Sequence, residues 1–187
     1  SMEIKGLGFA KLFKGYADAH VNEIVKYHYK NGGKSRFEKI KYFFNGILNE
    51  EISEDNIFDL ANRFSKIIES EIYDQSYLIT ETVDFIKLNH KQYNFHIVSG
   101  AEHNELNKIC KYFNLDMYFI SIDGSPTKKT LLVKKIFDKY CYLKAETVLI
   151  GDSNTDYEAA SNNNIRFFGF RNPKLRKASA KYIDSFK

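Results

Sequence analysis

Between Tyr77 and Phe170 the sequence alternates short apolar runs with longer stretches at helical spacing, and no other feature narrows the possible folds as much. A helical stretch opens at Thr80 (Val83, Phe85, Ile86, Leu88), and Phe95 to Val98 reads as a strand ending in Ser99 and Gly100. A helix over Glu102 to Phe113 comes next, then a strand over Tyr118 to Ile122 and the turn Asp123, Gly124, Ser125, Pro126. Lys128 to Tyr140 is again helical, Val148 to Ile150 a short strand, and a helix starts near Asp156. Arg166 to Phe170 reads as the last strand, and Arg171 to Lys187 as a polar tail with a short terminal helix. Strands alternating with helices of this length build a parallel sheet with right-handed crossovers.

The preceding residues have a different texture. From about Glu3 to Asp74 the pattern is helical throughout, with one stripe of Ile4, Leu7, Phe9, Leu12 and Phe13 and another of Val21, Ile24, Val25, Tyr27 and His28. Ser35 with Glu38 three residues later is a capping box opening a third helix, Arg36 to Leu48, whose expected buried face is Phe37, Ile40, Phe44 and Leu48. A fourth helix begins near Ser53 and buries Ile57, Leu60, Phe64, Ile67 and Ile68. Four helices with short links predict an antiparallel bundle over residues 1–76, with the α/β part over 77–187. A chain of 187 residues, 43% apolar, can bury one good core and a small appendage.

Composition excludes several functions. No run approaches the roughly 18 consecutive apolar residues of a membrane span, and the first residues lack a signal-peptide layout. Cys110 and Cys141 have neither CxxC nor Cys/His spacing, which argues against a zinc site or a disulfide framework and for a reduced, cytoplasmic protein. The formal charge of +4 is spread over interleaved Lys and Glu, a solvated surface rather than a nucleic-acid footprint. Monomer and homodimer are both compatible with the sequence.

Three predicted strand ends carry polar groups, and ligands in open α/β sheets gather at the carboxyl ends of strands. The first offers Ser99 in HIVSG, a hydroxyl followed by Gly100, whose N–H can approach an anion closely. The second offers Lys128 or Lys129 in GSPTKKT, where a helix begins. The third is the loop of TVLIGDSNTDYEAA, in which Asp152 and Asp156 lie four residues apart, a spacing suited to a hard divalent cation such as magnesium. Plainer readings exist for each: Ser99 or Asp152 as a helix N-cap, the lysine as surface charge. Together they match what phosphoryl transfer needs, since catalysis there is mostly positioning and neutralisation of charge on oxygen.

On these residues the sequence resembles the haloacid dehalogenase superfamily of aspartate-nucleophile phosphohydrolases. HIVSG looks like its second motif, GSPTKKT like its third and GDSNTD like its fourth. The resemblance implies a Rossmann-like core with an α-helical cap inserted near the N-terminus, of the phosphoglycolate phosphatase and β-phosphoglucomutase type. It implies that Ser99 binds phosphoryl oxygens and favours Lys129 over Lys128 as the motif lysine. It also implies that Asp152 ligates magnesium directly and Asp156 through water. GKSRFEK is similar to the cap's GxSR specificity loop, which would let Arg36 reach an anionic part of a phosphorylated metabolite.

The family's first motif, a strand followed by DxDG that supplies the nucleophile, has no counterpart in these residues; Ser1 to Phe13 corresponds to the segment just after that motif. The motif's strand would lie between those bearing Ser99 and Asp152. Burying about four of its apolar side chains is worth roughly 6 to 12 kcal/mol, comparable with the about 5 to 15 kcal/mol of a whole domain. The sequence therefore leads us to expect further residues upstream, or else flanking strands that close up or a second chain that fills the gap. The functional expectations are a magnesium-dependent phosphatase, a sugar-phosphate mutase, or a catalytically silent binding module.

Overall fold

The structure, a computed structural model, describes residues 2–186. It divides into two compact units, with the boundary between Tyr77 and Leu78.

The first unit is all helix: α1 (Met2–Leu12), α2 (Asp18–Lys30), α3 (Arg36–Tyr42) continued by a π-helical segment (Phe43–Leu48), and α4 (Glu54–Ile68). Ser35 and Glu38 form the expected capping box, and Ser53 caps α4 by accepting from the Asn56 N–H. Its core is Ile4, Phe9, Leu12 and Phe13 of α1, Ile24 of α2, Ile40 and Phe43, and Ile57, Ala61, Phe64 and Ile68 of α4. Leu7, expected in the first stripe, is instead 57% exposed. The inner face of the third helix also differs from expectation. Arg36, Lys39, Ile40 and Phe43 are buried, whereas Phe37 and Phe44 are only partly so. Phe43 stacks on Phe13 at a centroid distance of 3.8 Å and meets Tyr16 edge-on at 5.0 Å, and this aromatic contact fixes the rotation of the helix.

That rotation brings cations inside. The Lys39 Nζ donates to His28 Nδ1 at 3.0 Å, and His28 Nε2 donates to the Met2 carbonyl at 2.9 Å. Burial and the nearby cations Lys5 and Lys34 push the Lys39 amine down to about 7, against a weaker opposing pull from Glu38. His28 is lowered to about 4, first by burial and then by Lys39.

The second unit is α/β, with α5 (Thr80–Asn89), β1 (His96–Glu102), α6 (His103–Tyr112), β2 (Ser121–Ser125), α7 (Lys129–Tyr140), β3 (Val148–Gly151), α8 (Asn154–Asn162), β4 (Arg166–Phe170) and β5 (Lys181–Ile183). All strand pairs are parallel, as the alternation of strand and helix predicts. Val133 of α7, Leu149 of β3, Ala159 and Ala160 of α8, Phe167 of β4 and Leu175 form its core, against which Val98, Phe137 and Ile165 pack.

The strands form two sheets, β1-β2 and β3-β4-β5. Neither β1 nor β3 has a ladder partner on its other edge among the described residues, so the two strands do not close up on each other. Ile150 at the end of β3 is 39% exposed, and no residue of β1 is fully buried. α7 packs on β1, β2 and α8 and so spans both sheets.

Three boundaries depart from the sequence reading. β2 starts three residues later than expected because Asp116–Tyr118 form a 3-10 turn, which puts Asp123, Gly124 and Ser125 inside the strand. β1 continues past Ser99 to Glu102, with its register broken between Val98 and Glu102. The stretch after Arg171 is not a simple tail: a 3-10 segment (Pro173–Ala178) leads to β5, which extends the sheet alongside β4. Its three residues are too few to leave a periodic signal.

Candidate active site

The β3–α8 junction holds the densest polar arrangement of the second unit. Ser153 is the N-cap of α8, and its N–H and Oγ donate to Asp156 Oδ2 at 3.0 and 2.6 Å. The other oxygen of Asp156 takes the Lys129 Nζ at 2.5 Å, and that amine also lies 3.4 Å from Ser153 Oγ. Gly151 makes this possible, since a Cβ there would collide with both Cβ and Cγ of Asp156. The first turn of α7 and the first turn of α8 are thus joined by an ion pair whose side chains are 12% and 7% exposed. At that burial a charge needs its partner, and breaking a pair of this kind is strongly destabilising.

Asp152 differs from its neighbour. Its backbone carbonyl accepts from Asn172 Nδ2 at 2.7 Å, while burial, and next the charge of Asp156, raise its carboxyl above the ordinary range despite the opposing pull of Lys129. Asp152 is not the helix cap, because Ser153 fills that position. The Asp152 side chain is exposed to solvent, and a carboxylate there beside the negative Asp156 suits a divalent cation, which would restore its ordinary acidity. The residues fit magnesium in a limited way. Asp152 is available as a direct ligand, whereas both oxygens of Asp156 are engaged by Lys129 and Ser153, which leaves Asp156 a supporting place. Magnesium commonly uses one or two carboxylates and fills its remaining positions with water and substrate oxygens. Among the described residues no group of three or more His, Cys, Asp or Glu is arranged to hold a metal.

Ser99 lies in the irregular stretch of β1. Its Oγ accepts from the Ala101 N–H at 3.1 Å. It does not cap α6, whose N-cap is Glu102, with carboxylate oxygens that accept from Asn104 N and Glu105 N at 3.0 and 2.8 Å. Ala101 takes one acceptor site of the hydroxyl, whose own O–H can donate to an outside acceptor. Gly100 occupies the same stretch, and its carbonyl accepts from Ser125.

The structure thus joins Lys129, Asp152 and Asp156 through contacts and charge and sets Ser99 within the irregular stretch of β1, with no hydrogen bond to those three. Lys128 is the N-cap residue of α7 and is exposed, so the two lysines of GSPTKKT have different surroundings. Arg36 belongs to the first unit, where it is 5% exposed, donates to Ser65 Oγ at 2.5 Å and lies over the Phe64 ring at 4.7 Å. Reaching a substrate anion would require it to leave those partners. Ser153, Asn172 and Ser125 were not singled out in the sequence; Ser153 alone had a local signal there, as a serine three residues before an acid.

The haloacid dehalogenase-like hydrolase family model matches residues 16–170. Among solved structures, a predicted phosphoglycolate phosphatase from Haemophilus somnus is 14% identical with a TM-score of 0.69, covering 100% of this chain and 88% of its own. CbbY from Rhodobacter sphaeroides, solved in complex with phosphate, is also 14% identical, with a TM-score of 0.71 and coverages of 98% and 88%. A candidate β-phosphoglucomutase from Thermotoga maritima is 13% identical at a TM-score of 0.61, with coverages of 97% and 87%. At these identities the likeness speaks for the fold. No curated protein matches the sequence significantly. The family match over most of the chain, with α/β neighbours that span nearly all of it, places the protein in the haloacid dehalogenase-like hydrolase family.

Proposed function

We propose that the protein is a magnesium-dependent phosphatase for a small phosphorylated metabolite, with its site at the carboxyl ends of β1, β2 and β3. The observation that carries this reading is the Lys129 amine, fixed by Asp156 and Ser153 in the same loop as the under-neutralised Asp152. Ser99 donates its hydroxyl proton to one phosphoryl oxygen, and Lys129 neutralises charge on another as it builds up. Asp152 would hold magnesium directly and Asp156 through water; when bound, the ion supplies Lewis-acid stabilisation of the equatorial oxygens. The helical unit acts as the cap, with Arg36 its candidate for the leaving group.

The nucleophile in this reading is an aspartate on a strand that would pair with β1 and β3, each of which has one edge without a ladder partner among the described residues. Its carboxylate oxygen attacks phosphorus as the P–O bond to the ester oxygen breaks, that oxygen takes a proton from solvent, and water then attacks the aspartyl phosphate to release inorganic phosphate and the free carboxylate. Phosphate release from para-nitrophenyl phosphate and from sugar phosphates, measured with and without magnesium, tests the reading. Turnover that needs magnesium and is lost in Lys129→Ala is expected; magnesium-independent turnover, or an unaffected variant, overturns it.

The β-phosphoglucomutase-like neighbour supports a second reading, a sugar-phosphate mutase, in which the product is isomerised hexose phosphate rather than free phosphate. The edges of β1 and β3 that have no ladder partner among the described residues support a third, a folded binding module that takes up phosphate without turning it over.

A further inference from the structure

Ser125 is 1% exposed, at the end of β2, and makes no hydrogen bond to the ion pair of the β3–α8 loop. Its Oγ lies 3.1 Å from the Gly100 carbonyl and 3.0 Å from the Ala101 carbonyl, so one hydroxyl proton is shared between two acceptors. These carbonyls belong to the stretch of β1 where the ladder to β2 lapses, between the pairs Val98↔Asp123 and Glu102↔Ser125. A buried carbonyl that leaves a ladder needs another donor, and Ser125 is that donor. The neighbouring strand is pressed close as well, since a Cβ on Gly124 would fall 2.6 Å from the Ala101 oxygen and 2.8 Å from the His103 Cα.

Peptide planarity turns this clamp into an effect on Ser99. The Gly100 C=O and the Ala101 N–H belong to one trans peptide and point in opposite directions. Holding the carbonyl toward Ser125 therefore turns the N–H the other way, where it meets Ser99 Oγ at 3.1 Å. The Ala101 N–H occupies one of the two acceptor sites of the Ser99 hydroxyl and so holds its oxygen in place, while the hydroxyl proton can turn to an oxyanion.

We propose that Ser125 is a positioning residue for an oxyanion at Ser99: by clamping the Gly100–Ala101 peptide it fixes the orientation in which the Ser99 hydroxyl donates. This inference rests on the phosphatase reading only as far as Ser99 binds an oxyanion, and it needs no turnover. Inorganic phosphate is the probe, titrated into the folded protein and followed by amide shifts in nuclear magnetic resonance, for wild type, Ser99→Ala, Ser125→Ala and the double variant. Ser125→Ala should weaken phosphate about fivefold and speed exchange of the Ala101 amide, consistent with one lost hydrogen bond. The double variant should bind no more weakly than Ser99→Ala alone, because both changes remove the same interaction. Should Ser125→Ala not fold, Ser125→Cys keeps the size with a weaker donor, and a smaller loss in the same direction is expected. Unchanged affinity in a folded Ser125 variant, or losses that add with those of Ser99→Ala, overturns the inference and leaves the phosphatase reading intact. Unchanged affinity in Ser99→Ala overturns both.

Discussion

Replacing Lys39 with Met should change the stability of the helical unit with a sign that depends on pH. The Lys39 amine is 3% exposed, and its pKa is lowered from 10.5 to about 7. Between those values the unfolded chain keeps a proton that the folded chain has released, so the Lys39 contribution to stability rises with pH across that window and levels off below it. At pH 7 the difference corresponds to roughly 4 kcal/mol of destabilisation, and by pH 10 to about 1 kcal/mol. Lys39→Met removes this penalty and fits a linear side chain in the same space. It also leaves His28 Nδ1 without the donor that lies at 3.0 Å, a loss of about 1 to 3 kcal/mol. The variant should therefore be more stable than wild type by about 1 to 3 kcal/mol at pH 7, and equal or less stable at pH 10. Urea unfolding followed by far-ultraviolet circular dichroism, with hydrogen exchange of the α2 and α3 amides to assign the change to this unit, measures the difference. Parallel stability curves for the two proteins from pH 7 to 10 would refute a buried, titrating amine.

Asp152→Asn should raise the melting temperature at neutral pH only slightly, because a carboxyl pKa raised in the fold costs stability above that pKa, a cost lost as pH falls through it and kept small by solvent at this exposed side chain. The same change should abolish stabilisation by added magnesium, and a variant that magnesium still stabilises would place the cation elsewhere. Gly151→Ala should destabilise the second unit by about 1 to 3 kcal/mol, since its methyl group would collide with Asp156 and the first turn of α8 must move; a neutral result in urea unfolding would mean that the Lys129–Asp156 pair is looser than described.

Elements with a strong local pattern were legible in the sequence. Ile57, Phe64 and Ile68 of α4 follow its 3.6-residue period into the core, and the alternation after Tyr77 gave the parallel strands. The third helix was misjudged because aromatic residues lie on several of its sides. Contacts distant in sequence, such as the stacks of Phe43 on Phe13 and of Tyr42 on Tyr27, accompany the rotation that turns Arg36 and Lys39 inward. In the candidate site, GDSNTD marked the acid loop, but the division of labour between Asp152 and Asp156 depends on Lys129 arriving from another helix. Ser125 reads locally as a turn residue beside Pro126; its role at Gly100 and Ala101 exists only once β1 and β2 are paired.

Crystals of the protein soaked with tungstate in the presence of magnesium test most directly whether these strand ends form one oxyanion site. The account predicts a single tungstate with oxygens at hydrogen-bond distance from Ser99 Oγ and Lys129 Nζ, beside Asp152. Tungstate bound elsewhere, or Ser99 and Lys129 facing directions that no one oxyanion could bridge, would contradict it.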